Sequence, residues 1–111
     1  MDTLERDRQT IIKILQDYAR LKYRYGEVER IAIFDRETDN YLLVIQGWED
    51  KKRVHGCLIH LQILDGKIWI QRDGIEHGIA NDLVAVGIPK ERIVLAFHRE
   101  DIRPHTEFAV R

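Results

Sequence analysis

The dipeptide Asp65-Gly66 sits between two runs in which apolar and polar residues alternate, and it constrains the fold more than any other feature of the chain. Both positions tolerate the positive φ of a type I′ turn. The dipeptide therefore marks a two-residue hairpin loop joining a strand over residues 53–64 to one over residues 67–72. A two-residue loop also sets the register: Leu64 opposite Lys67, Ile63 opposite Ile68, Leu61 opposite Ile70. That face, with Ile59 and Cys57 on the longer strand, is strongly apolar. The other face pairs Gln62 with Trp69 and His60 with Gln71, so it is polar with one aromatic on it. A half-covered antiparallel sheet of this kind expects its helices on the apolar side.

The flanking segments supply those helices and the other strands. Asp2 with Glu5 three residues on is a capping-box signature, and it opens a helix over residues 3–25. Leu4, Ile11, Leu15 and Tyr18 form its stripe, widened by Ile12 and Ala19, and Gly26 suits the stop position. Residues 28–34 and 41–46 read as strands. A polar turn over residues 35–40 joins them, and a second turn over residues 47–52 holds Trp48. A second helix over residues 78–86 carries Ile79, Leu83 and Val86, with Gly87 and Pro89 as its stop. Residues 89–92 suit a short helical turn, residues 93–97 a fifth strand, residues 98–105 a polar loop with Pro104, and residues 106–110 a short closing strand. The expected class is α+β: a mainly antiparallel sheet of about five strands, with the N-terminal and second helices packed on its apolar face. At 111 residues and 44% hydrophobic content, the chain reads as a single domain over residues 1–111.

Charge excludes a strong global attraction to nucleic acid. The 18 basic and 19 acidic residues nearly cancel, so DNA contact would be indirect or confined to a local patch. Basic residues on the first helix, Lys51-Lys52-Arg53, Arg99 and Arg103 allow phosphate contact without arguing for sequence readout. No apolar run of about 18 residues spans a membrane, and the N-terminus lacks a secretory pattern. The expectation is a cytoplasmic protein with no membrane association.

Candidate chemistry is sparse. Cys57 cannot form an intramolecular disulfide, and among aliphatics its thiol is expected to be inert. His55 and His60, five apart on a strand, are expected on opposite faces, and zinc spacings are missing. A nuclease-like set of Asp39, Glu49 and Lys51 has the right letters, but Glu49 and Lys51 fall in an expected turn. The Asp73-Gly74-Ile75-Glu76-His77 loop groups two carboxylates and an imidazole, and helix capping accounts for acids there. Glycine-rich phosphate loops are lacking, and no cofactor or metal is implied. On the sheet's polar face, Trp69 amid His60, Gln62 and Gln71 is a candidate protein contact or a platform for the C-terminal segment, with Phe108 and Val110, to cover.

A family resemblance runs through these residues. Gly47-Trp48, His55-Gly56-Cys57, Asp65-Gly66-Lys67-Ile68-Trp69-Ile70-Gln71, Asp73-Gly74-Ile75-Glu76, Gly78-Ile79-Ala80, Gly87-Ile88-Pro89-Lys90, Ile93-Val94-Leu95-Ala96-Phe97-His98 and Thr106-Glu107-Phe108-Ala109-Val110 follow one another as in XisI proteins. Ile75 stands where that family usually has Thr, and Ala96 where Gly is common. The resemblance implies a non-enzymatic, cyanobacterial controlling factor for programmed excision of a DNA element. A site-specific recombinase would cut and join the DNA, and an XisH-type protein, which resembles nuclease folds, would be the direct partner. A metal-dependent nuclease and a small architectural DNA-binding factor are the alternatives. The candidate partner contacts are His60, Gln62, Trp69 and Gln71 on the polar face, Asp73, Glu76 and His77 in the loop, and Arg103. A homodimer through the polar sheet face is a further candidate.

Overall fold

The computed structural model describes residues 2–21 and 27–111. Helix α1 spans Thr3–Arg20, followed by strands β1 (Glu27–Asp35), β2 (Asn40–Glu49), β3 (Lys52–Leu64) and β4 (Lys67–Asp73). Helix α2 (Ile79–Ala85), a 3-10 turn (Lys90–Arg92), strand β5 (Ile93–Leu95) and a second 3-10 turn (Arg103–His105) complete the order. The five strands lie side by side in sequence order. The first four are antiparallel meanders, and β5 runs parallel to β4. The connection from β4 through α2 to β5 is the crossover that a parallel pair requires.

Helix α1 begins as its cap predicts, with the Glu5 amide donating to Asp2 Oδ1 at 2.7 Å. The Glu5 carboxylate does not reach back to the cap and instead bonds Arg8 and Arg36. The helix ends at Arg20, because Leu21 is already extended (φ −72, ψ 130). The expected continuation to Tyr25 and the stop at Gly26 lie outside the described residues. Ile11 and Leu15 are fully buried, as the stripe requires, but Leu4 is exposed. Its place is taken by Asp7, a carboxylate buried against Arg92.

The Asp65-Gly66 hairpin has the expected turn, with φ of 53° and 74° at its two residues. The register Leu64–Lys67, Ile63–Ile68, Gln62–Trp69 and Leu61–Ile70 holds. Beyond it a bulge intervenes, so His60 pairs with Arg72 rather than Gln71. A second bulge lies between β2 and β3, where Leu43 pairs with Ile59 but Val44 pairs with Cys57. The extra residue, Leu58, flips the alternation. Cys57 therefore lies on the outer face with Val44, not on the core face with Ile59. The second turn is also shorter than expected. Glu49 pairs with Lys52 across Asp50-Lys51, and Trp48 is a strand residue opposite Glu27 and Arg53.

One face of the sheet carries the core. Tyr41, Leu43, Ile59, Leu61, Ile63, Ile68, Ile70, Ile93 and Leu95 meet Ile11 and Leu15 of α1 and Ile79 and Leu83 of α2 in one cluster. Both helices thus cover the same face, as the half-apolar hairpin demands. Val86 falls past the end of α2 and is exposed. The expected fifth strand stops at Leu95, and the expected closing strand is one bridge, Ala109 beside Val94.

Candidate functional site

The outer face of the sheet has no helix over it among the described residues. Alternation and the two bulges place Ile31 and Ile33 of β1 there, with Leu42, Val44 and Gln46 of β2 and Cys57, His60 and Gln62 of β3. Trp69 and Gln71 of β4 continue the face. Polar groups on it bond one another: His60 Nε2 lies 2.9 Å from Asn40 Oδ1, and Gln71 Nε2 donates to Gln62 Oε1 at 3.2 Å. Partial burial pushes the His60 pKa down, favouring the neutral ring.

Trp69 is half-buried because the C-terminal segment reaches it. The Arg103 guanidinium lies 5.7 Å from the centre of the Trp69 ring, a cation–π distance, while donating to the carbonyls of His98 and Val110. The indole donates to the Leu64 carbonyl. Val94, placed on this face by its pairing with Trp69, is fully buried. The segment therefore covers the β4–β5 end of the face. Arg103 makes that contact, whereas Phe108 packs on the core and Val110 remains exposed.

The Asp73–His77 loop lies at the other side of the sheet. Asp73 is on the core face and caps α2: Oδ1 accepts from the Ile75 amide and Oδ2 from the Ile79 amide, each at 3.0 Å. Glu76 and His77 are exposed. His77 Nε2 is 3.0 Å from the Tyr18 hydroxyl, which donates to Asp82. Burial and then the Asp82 carboxylate raise the Tyr18 pKa, so the phenol stays protonated and pins α1 to α2. Periodicity placed Tyr18 among apolar residues and gave no sign of this polar link. The candidate contacts thus divide into two groups: His60, Gln62, Trp69, Gln71 and Arg103 on the outer face, and Asp73, Glu76 and His77 at the start of α2.

The nuclease-like set does not assemble. Asp39 and Glu49 flank opposite ends of the ten-residue strand β2, roughly 30 Å apart at strand rise. Asp39 is already engaged, accepting from Arg8 Nε at 2.7 Å, from Arg8 Nη2 at 3.1 Å and from the Tyr41 hydroxyl at 2.8 Å. The Leu58 bulge puts His55 and His60 on one face, contrary to the spacing expectation. They pair with Gln46 and Leu42, four residues apart on β2, and so do not converge. No group of three metal-ligating side chains converges among the described residues. Burial raises the Cys57 pKa, which disfavours the thiolate.

The Arg8 hydrogen bonds hold the Asp39 carboxyl below the usual carboxylate range. A depressed folded pKa gives stability that is full above about pH 4, the unfolded value, and is lost as pH falls through the folded pKa. The urea midpoint should therefore drop between pH 5 and pH 2, and an Arg8→Leu variant, already lacking the pair, should show a shallower drop. Equal slopes would remove Asp39 as a source of acid sensitivity.

The order of these elements has counterparts among known proteins. The family model described as XisI protein matches residues 1–110. The chain belongs to the XisI family. A crystal structure of a XisI-like protein from Anabaena variabilis ATCC 29413 superposes with a TM-score of 0.88 at 33% identity, covering 97% of this chain and 99% of that one. The crystal structure of the fdxN element excision controlling factor XisI from the same organism gives a TM-score of 0.83 at 38% identity, covering 99% and 100%. No curated protein sequence matches the chain. Several residues that carry the XisI resemblance are structural here: Asp65-Gly66 forms a turn, Asp73 caps α2, and Gly47 admits the Glu27 backbone. The XisI likeness of these positions therefore reports the fold first.

Proposed function

We propose that this XisI-family chain is a non-enzymatic controlling factor for the excision of a DNA element, acting through an XisH-type protein that bears on a site-specific recombinase. The observation that carries this reading is end-to-end likeness, at 38% identity, to a protein named as an fdxN element excision controlling factor. The dispersal of Asp39, Glu49 and Lys51 favours it over the nuclease alternative, because metal-assisted hydrolysis needs those groups within one coordination sphere. Near-neutral charge favours contact through a protein over direct DNA binding, because phosphate contact draws on a local excess of cations. Several of the basic side chains are already paired: Arg8 with Asp39, Lys13 and Arg20 with Asp17, Arg99 with Asp101.

The partner contact falls to the exposed candidates at the start of α2, Glu76 and His77, and to the Trp69–Arg103 end of the outer face. Co-expression with the XisH-type proteins of the same genome should give a complex that co-purifies, and a Glu76→Lys, His77→Glu variant should weaken it at least tenfold. Failure to associate with any of them would overturn the reading. Nicking of plasmid by purified protein in magnesium or manganese would do so as well.

A further inference from the structure

The central part of the outer face, away from Trp69, is apolar and uncovered among the described residues. Ile33 is 44% exposed, with Ile31, Leu42 and Val44 half-buried around it. Trp48, 49% exposed, stands at the end of the same face beyond the Glu29–Gln46–His55 row, with the Arg53 guanidinium 5.4 Å from its ring centre. Charge on either side of this stripe is segregated by strand. Strand β1 contributes Glu27, Glu29 and Asp35, all exposed. Across β2, strands β3 and β4 contribute Arg53 and Arg72, with His55 and His60 between them. Strand β2, which lies between β1 and β3, carries no charge between Asn40 and Trp48. An acidic margin, an apolar midline and a basic margin form a self-complementary pattern, the requirement of an isologous interface.

We infer that this face docks a second copy of the same chain, with the two-fold axis running along β2. Rotation about that axis lays β1 of each copy over β3 of the other, in the aligned packing of two sheets. The intrachain register then fixes the opposing levels, since Glu27, Trp48 and Arg53 share one level and Ile31, Val44 and Cys57 another. Glu27 of one copy faces Arg53 of the second, and Ile31 faces Cys57. Ile33 faces His60, and Val44 meets its own symmetry mate. The neutral His60 that burial favours suits this contact. The three overlapping strands, about 4.8 Å apart and each about nine residues long, give a footprint of roughly 400 Å² in the sheet plane. That is about half the ~800 Å² per partner of a standard stable interface, the size of a small interface that rests on complementarity. The inference is independent of the excision reading, since a dimer forms or fails without any XisH-type protein present.

Sedimentation equilibrium and light scattering of the purified chain test it. The expected result is a dimer, twice the 13.2 kDa of one chain. Ile33→Asp, at an exposed position, should raise the dimer dissociation constant at least a hundredfold while leaving the far-ultraviolet circular dichroism unchanged. Glu27→Arg should weaken the dimer about tenfold by setting two arginines against each other, and adding Arg53→Glu in the same chain should restore it. A wild-type chain that stays monomeric at 100 μM overturns the inference, as does a dimer indifferent to Ile33→Asp. A double charge reversal that fails to restore association overturns the axis along β2.

Discussion

Replacing Gly47 by alanine should lower the melting temperature by about 15 °C or more, corresponding to a loss of roughly 3 kcal/mol for a domain of this size. A Cβ built at Gly47 would lie 1.9 Å from the Glu27 carbonyl oxygen and 2.7 Å from Val28 Cα. Both are backbone atoms of the neighbouring strand, so no side-chain rotation relieves the contact. The φ of +152° is also one that side-chain-bearing residues rarely adopt. The strands must separate at the Glu27–Trp48 end or Gly47 must change conformation. Either response disturbs β1, an edge strand that pairs with β2 alone among the described residues. Gly56 is the internal control. It lies one strand away opposite Ile45, and nothing stands within 4 Å of its added Cβ. Gly56→Ala should therefore change stability by less than about 1 kcal/mol. Thermal melts of both variants decide the matter, and equal effects would refute the steric account.

The second large effect is expected at Arg92. This side chain donates to the Asp7 carboxylate through Nη2 and to the Gly66 carbonyl through Nε at 3.1 Å. It thereby ties the start of α1, the Asp65-Gly66 turn and the entry to β5 at one point. Asp7 is 2% exposed, whereas Arg92 is 26% exposed. The asymmetry predicts which substitution is worse. Arg92→Ala leaves a buried carboxylate without its cation and should cost about 3 kcal/mol. Asp7→Asn leaves a guanidinium that already touches water and should cost less, about 1 kcal/mol. The double variant Asp7→Leu, Arg92→Leu should recover most of the loss, since an apolar pair avoids the desolvation that the ion pair must offset. Chemical denaturation of the three variants measures this. A ranking with Asp7→Asn as the most damaging would contradict the burial argument.

At both sites the decisive contact comes from a segment distant in sequence. The sequence places Gly47 in the turn over residues 47–52. Its actual role, admitting the backbone of the adjoining strand, depends on a neighbour twenty residues away in sequence. Asp7 lies outside the apolar residues that the sequence marks on α1. Its burial is decided by Arg92, 85 residues on, and no local pattern couples the two. The bulge at Leu58 is a third case. Strict alternation put Cys57 in the core and separated His55 from His60, and one inserted residue reversed both assignments. The sequence shows residues 28–34 and 41–46 apolar on both faces, with Ile31 and Ile33 on one of them; the strand pairing joins Ile31 and Ile33 to Leu42 and Val44 on the same outer face as Trp69.

What the sequence determined by itself was everything set by near neighbours. It determined the Asp2 cap, the stripe of Ile11 and Leu15, the Asp65-Gly66 turn with the four pairs nearest to it, and hence which face of β3 and β4 is core. The order of its motifs also determined the family. The tertiary structure decided what depends on contacts between distant segments: the parallel placement of β5, the buried Asp7–Arg92 pair, the seating of Arg103 on Trp69 and the segregation of charge about β2. The physical reason is range. Hydrogen-bonded turns and side-chain periodicity act over a few residues and are written in the local sequence, whereas burial and cross-strand register are properties of a packed arrangement. A bulge or a long-range ion pair changes such an arrangement without leaving a mark in any short stretch of chain.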